Sequence, residues 1–280
     1  MAPPTLLLAV CALYAAGQAP ESEGAARPAR PIQDNSFLIE EAYNQEKGVV
    51  QHIQQFLWNP SSGNWLYTFT QEWPVGGVKH QLSYTLAVAR VARDAGGEAA
   101  GFGDVILNYR YQLVGDADAP VAMAPRLSLI LPTGSSRRDL GSGGVGAQVS
   151  VPVSVLVGSS LQANGNVGAT WIPGAKNERG EKAGIVGVNL GGSLIWLARA
   201  KLNFLLEAFY ARAQTPSAPG QVRTAEVFLL SPGVRWAYNF ASGLQIVPGV
   251  AVPIGVGPSH DRSVLVYLSF EHPFTQAASR

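Results

Sequence analysis

The chain has little cysteine, little charge and no long apolar run, and each shortage excludes something. The only cysteine is Cys11. A leader ending near residue 19 would remove it, and the mature chain would then have neither a disulfide framework nor a thiol nucleophile. Charged residues make up 14% of the 280, against about 25% in an ordinary soluble protein. A net charge of +1 gives no cationic footprint for nucleic acid. No internal run reaches the ~18 apolar residues that a membrane-spanning helix needs. The histidines His52, His80, His260 and His272 show no metal-ligand spacing. Gly141 to Gly146 reads GSGGVG, but it follows a polar loop and opens a strand containing Pro152. A dinucleotide fingerprint must open a helix, so no cofactor is expected.

What is present is glycine, 31 residues of it, and alternation with a period of two. The stretch Val264 to Phe274 places Val264, Val266, Leu268, Phe270, His272 and Phe274 in one phase, and Leu265, Tyr267, Ser269, Glu271 and Pro273 in the other. That is the pattern of a strand with two different faces. Twelve such stretches can be counted, at about 48–58, 64–74, 79–90, 102–114, 120–132, 144–157, 160–172, 184–196, 201–213, 224–240, 243–255 and 263–274. A soluble sandwich would alternate in the same way, so the connections must decide. They alternate along the chain between long polar loops (90–101, 133–143, 173–183, 214–223, 256–262) and tight turns (158–159, 197–200, 241–243). Long loops at one rim and short turns at the other describe a transmembrane barrel. Trp58, Trp65 and Trp171 then mark one aromatic girdle, and Trp73, Trp196 and Phe274 the other.

The expected fold is all-β, a closed antiparallel up-and-down transmembrane β-barrel of about twelve strands, within a range of 10–14. Residues 1–19 read as a signal peptide, with an apolar Leu6 to Ala16 and a small-residue cleavage site. Residues 20–47 read as a periplasmic N-terminal segment, a linker followed by a short helix or plug, with Leu38/Ala42 and Ile39/Tyr43 as i,i+4 pairs suiting one or two helical turns. Residues 48–274 read as the barrel and 275–280 as a tail. Pro125, Pro152, Pro232, Pro248 and Pro253 fall inside proposed strands. Proline belongs at edges or bulges, and a closed barrel has no edges, so bulges are expected there.

Candidate functional residues are the polar ones in the inward phase: Asp104, Asn108, Arg110, Arg126, Glu207 and Arg235. A charge on the lipid face near the midplane costs ~2–4 kcal/mol, so these should face the lumen. There they either line a pore or pair across strands and fill the barrel. The acidic stretch with Glu40, Glu41 and Glu46 has the opposite sign to the lumen arginines and could fold inward as a plug. The alternative is a solvated periplasmic tail. A lipid-hydrolase reading needs an outward Ser–His pair, and His80 with Ser83 lie in opposite phases, so no catalytic residue is expected.

Three stretches carry a family resemblance: PIQDNSFLIEEAYNQEKGVVQHI (residues 31–53), GFGDVILNYRYQL (101–113) and APRLSLILPTGSS (124–136). They resemble Gram-negative outer-membrane barrel proteins of a "transporter" family related to the phenol meta-degradation pathway barrels. The resemblance spans roughly residues 31–274. It implies a channel for passive passage of a small solute, hydrophobic or aromatic in character. Its partners would be outer-membrane lipid and the barrel-assembly machinery, which reads the C-terminal strand. The alternatives are a structural or surface-interaction barrel with a filled lumen and, after it, a lipid-modifying enzyme.

Overall fold

The computed structural model describes Ile32 and residues 34–93, 96–116 and 119–274. The expected signal peptide and C-terminal tail lie outside these residues. Sixteen strand segments form one antiparallel sheet. In chain order they are β1 (Val49–Trp58), β2 (Trp65–Pro74), β3 (His80–Ala92), β4 (Glu98–Phe102), β5 (Val105–Tyr111), β6 (Val121–Met123), β7 (Arg126–Leu131), β8 (Gly146–Val157), β9 (Leu161–Lys176), β10 (Lys182–Arg199), β11 (Leu202–Ala218), β12 (Gln221–Trp236), β13 (Tyr238–Asn239), β14 (Gln245–Ala251), β15 (Ile254–Gly255) and β16 (Val264–Pro273). Strands β4 and β5 share one stave, as do β6 with β7, β12 with β13 and β14 with β15, which leaves twelve staves. Strand β1 pairs with β2 on one side and with β16 on the other, from Val49↔Pro273 to Trp58↔Val264. The sheet is thus a closed barrel. Its proximal end is where β1 starts and β16 finishes.

The two faces are inverted relative to a soluble sandwich. Thr68, Thr70 and Glu72 of β2 are buried, as are Asn108 and Arg110 of β5 and Asn203 and Glu207 of β11. Leu107, Tyr109, Val149, Leu190, Phe204 and Leu206 are exposed. An apolar outer belt around a polar interior is stable only if lipid replaces water outside. Trp58 and Trp171 stand exposed toward the distal end of this belt, and Trp196 and Phe274 toward the proximal end. Leu190 lies between the two girdles on the outward face of β10 and is 59% exposed. Leu190→Arg is expected to destabilise the barrel by ~2–4 kcal/mol. Urea titration in lipid vesicles, followed by loss of the heat-dependent gel shift, would measure this.

The prolines are accommodated in matched breaks. Pro125 lies in the gap between β6 and β7, and Pro152 on the adjacent β8 faces that gap, with its carbonyl accepting from Ala124 N at 3.4 Å. Pro253 lies in the gap between β14 and β15, and Pro232 of β12 faces that gap, with its carbonyl accepting from Val252 N at 3.0 Å. Pro248 of β14 lies next to the last β12–β14 rung, Arg235↔Gly249, across from the Ala237 interruption between β12 and β13. A missing donor on one strand therefore meets a gap on its neighbour, and ladder loss is confined to a few rungs.

The connections depart from the sequence reading at three places. Residues 90–101, 173–183 and 214–223 are mostly strand: β3 runs to Ala92 and β4 starts at Glu98, β9 and β10 leave only 177–181 between them, and β11 turns into β12 through 219–220. These staves extend beyond the girdle. Where both faces meet water no alternation is selected, so the polar sequence looks like loop.

Candidate functional site: a segment docked in the lumen

The N-terminal segment crosses the lumen. Ile32 and every residue from Asp34 to Gln45 is 6% exposed or less. Glu46 is half-buried and Lys47 exposed, and Gly48, at φ 85°, turns the chain into β1. The short helix that the Leu38/Ala42 and Ile39/Tyr43 spacing suggests does not form: the described segment has no helix or strand of its own, because its amides are bound by the wall and not by the segment's own carbonyls. Its buried backbone groups must therefore find partners elsewhere, and wall side chains supply them. Glu207 Oε1 accepts from Leu38 N at 2.7 Å and from Ile39 N at 3.1 Å. Ser154 Oγ accepts from Ala42 N at 2.9 Å, and Gln81 Oε1 accepts from Gln45 N at 2.6 Å. Gln112 bridges two residues, with Oε1 accepting from Asn44 N and Nε2 donating to Ala42 O. Gln55 Nε2 donates to Phe37 O at 2.9 Å.

Charge is matched as closely. Arg235 of β12 is fully buried. Its Nη1 donates to the carbonyls of Asp34 and Asn35, its Nη2 reaches Ile32 O at 3.2 Å, and Nη1 lies 3.4 Å from Glu41 Oε1. Asp34 accepts from Tyr267 Oη at 2.6 Å, from Gln51 Nε2 at 2.8 Å and from Ser269 Oγ. Glu41 accepts from Gln162 Nε2 at 2.5 Å and from Ser36 Oγ at 3.2 Å. Burial pushes the Asp34 and Glu41 carboxyls up, and Arg235 is the main influence pulling each back. Glu40 lies 2.6 Å from Arg110 Nη2 and 3.0 Å from Arg126 Nε.

Apolar packing fixes the depth of the segment. Phe37 packs on Tyr267 with ring centroids 5.2 Å apart. It occupies space opened by two wall glycines: a Cβ built at Gly249 would meet Phe37 Cζ at 2.5 Å, and one at Gly233 would meet Phe37 Cε2 at 2.7 Å. A Cβ at Gly191 would collide with Ile39. Gly249→Val is therefore expected to expel the Phe37 ring while leaving the wall closed. Greater protease access to the segment in a barrel that keeps its gel shift would show it.

The sequence-derived candidates separate into three groups. Arg110, Arg126, Glu207 and Arg235 converge on the segment from four different strands. Asn108 does not touch it through any contact described above; its Oδ1 accepts from Arg126 Nη1 at 2.9 Å and from Ser128 Oγ at 2.7 Å, which orients Arg126. Asp104 is not on a strand. It sits in the break between β4 and β5 and ties the loop after β7, accepting from Gly134 N at 2.9 Å and Ser142 N at 2.7 Å. Burial raises its carboxyl, and the Ser142 and Gly134 contacts lower it. The wall amides Gln51, Gln55, Gln81, Gln112 and Gln162 were not singled out from sequence. Their signal was inward phase alone, which they share with residues that only fill space.

A cavity of about 410 Å³ lies toward the distal end, lined by Ile106, Ile130, Ile172 and Ile185 with Thr85, Thr170 and Asp104. The staves that extend past the girdle add Arg223, and the turn after β9 adds Arg179.

The fold is shared with solved membrane barrels. An outer-membrane channel from Pseudomonas putida F1 is similar over 83% of this chain and 97% of that one, with a TM-score of 0.58 and 14% identity. The NanC porin is similar over 78% of this chain and 98% of that one, with a TM-score of 0.51 and 10% identity. No protein-family profile matches the chain, and no curated protein sequence matches it significantly. At these identities the likeness defines the class, a closed β-barrel of the outer-membrane type.

Proposed function

We propose that the chain is an outer-membrane channel for a small solute, gated by its own N-terminal segment. The proximal end then faces the periplasm, where both ends of the wall lie, and the extended staves β9 to β12 face outward. The observation that carries the reading is the way the segment is held. It is bound through side-chain hydrogen bonds and ion pairs rather than by a sheet ladder, so it can leave without unzipping the wall. The isoleucine-lined distal cavity favours a solute with an apolar body, in keeping with the hydrophobic or aromatic solute that the sequence resemblance implies. Lipid outside, and the assembly machinery acting on β16, are the partners that such a barrel requires.

A second reading has an observation of its own. The lumen is filled, and a filled barrel can serve as a structural or surface-interaction element. Bilayer conductance of the whole chain, compared with a chain lacking residues 32–46, separates the two. A channel gains conductance on deletion, whereas a structural barrel stays closed or loses its fold.

A further inference from the structure

Arg110 of β5 and Arg126 of β7 are directly opposed across their strand pair. Like charges at such a position repel, and these two are 1% and 3% exposed. The wall therefore needs an anion between them. Glu40 supplies it: Oε1 lies 2.6 Å from Arg110 Nη2 and 3.0 Å from Arg126 Nε, while Oε2 accepts from Ser150 Oγ at 2.9 Å.

Everything around that carboxylate belongs to the wall. Arg126 is held by Asn108 Oδ1 at 2.9 Å and Gln148 Oε1 at 3.0 Å, and Ser150 Oγ accepts from Asn166 Nδ2 at 3.0 Å. Arg110 also donates to Tyr43 O at 2.9 Å, the one contact that leaves with the segment. Glu72, which acts electrostatically on Arg126, accepts from Gln81 Nε2 at 2.9 Å. With Glu40 removed, two guanidiniums face one fixed carboxylate, and the socket keeps a net positive charge. Its shape suits a planar carboxylate, one oxygen between two guanidiniums and the other on a hydroxyl.

We propose that this socket is a carboxylate-binding site on the permeation path. Glu40 fills it in the docked state, and a small organic acid fills it once the segment is displaced. The inference rests on the channel reading above and specifies the solute class: a neutral solute gains nothing at paired arginines, whereas a carboxylate replaces what the segment withdraws. Docked segment and solute then compete for one place.

Glu40→Ala in the full chain leaves a cavity that free acetate can refill. Sodium acetate is expected to raise the temperature of the gel shift of this variant in a saturable way. It should have no such effect on the unmodified chain or on Glu40→Ala combined with Arg110→Ala. Sodium chloride at equal ionic strength is the control, and equal effects of chloride and acetate would overturn the proposal. If Glu40→Ala does not fold, the barrel lacking residues 32–46 provides a second measurement. Sodium benzoate should then block its current reversibly, and Arg126→Ala should abolish the block. A conducting barrel that benzoate does not block overturns the carboxylate site and leaves the channel reading standing. A barrel that folds but does not conduct overturns the channel reading instead.

Discussion

Removal of residues 32–46 is expected to turn a nearly closed barrel into an open one. Ile32 and residues 34–45 are almost wholly inaccessible in the docked state and reach from the β11–β12 wall to the β5–β8 wall. If the docked state predominates by about 99 to 1, full removal raises the mean conductance about 100-fold. The wall should survive. Its ladder closes through β1 and β16 without help from the segment, and the segment adds no rung to it. The cost falls on the polar wall side chains that lose partners, and water entering the lumen can replace most of these. Single-channel recording, with the gel shift as the folding control, makes the measurement. A folded barrel with unchanged conductance would contradict the gating role.

The second large effect is expected at Arg235. Its guanidinium holds three segment carbonyls, at Ile32, Asp34 and Asn35, and lies beside Glu41. Arg235→Ala leaves Glu41 without its ion-pair partner and those carbonyls without this donor. Breaking one partner of a buried pair costs about 3–5 kcal/mol, or roughly two to four decades in the docking equilibrium. The segment should then be displaced for much of the time, with frequent long openings in bilayer recordings. Arg235→Lys keeps the charge but lacks the planar fork that reaches several acceptors at once, so its openings should be intermediate in frequency.

The wall was largely legible in the sequence because alternation and girdle aromatics are local signals. Val105 to Leu113 reads out its two faces unaided, and the structure places Asn108 and Arg110 on the inner one. The strand ends beyond the girdle were not legible, since residues 214–218 lose the apolar phase once they leave lipid. Nor could the proline pairing be read. Pro152 opposite the Pro125 gap is a register relation between neighbouring strands, and a single strand does not encode its register. The lumen arginines were visible one by one as inward charges, and Glu40 and Glu41 as charges of opposite sign. What could not be seen was which glutamate meets which arginine, or that Glu207 holds backbone amides rather than a cation. Asp104 keeps the inward phase of Ile106, Asn108 and Arg110 and lines the distal cavity, but a break at Gly103 and Asp104 interrupts the stave, and its bonds to the loop after β7 are a relation that the phase does not encode.

The most direct test of the account is a crosslink between segment and wall. Ser36 Oγ lies 2.8 Å from Ser193 Oγ of β10, close enough for a disulfide after modest adjustment. With Cys11→Ser removing the only native thiol, the Ser36→Cys, Ser193→Cys chain should oxidise readily in the membrane fraction. It should hold the barrel closed, and conduct only after reduction. A heat-modifiable barrel that forms no crosslink, with both thiols open to a water-soluble maleimide, would place the segment outside the lumen and contradict the account.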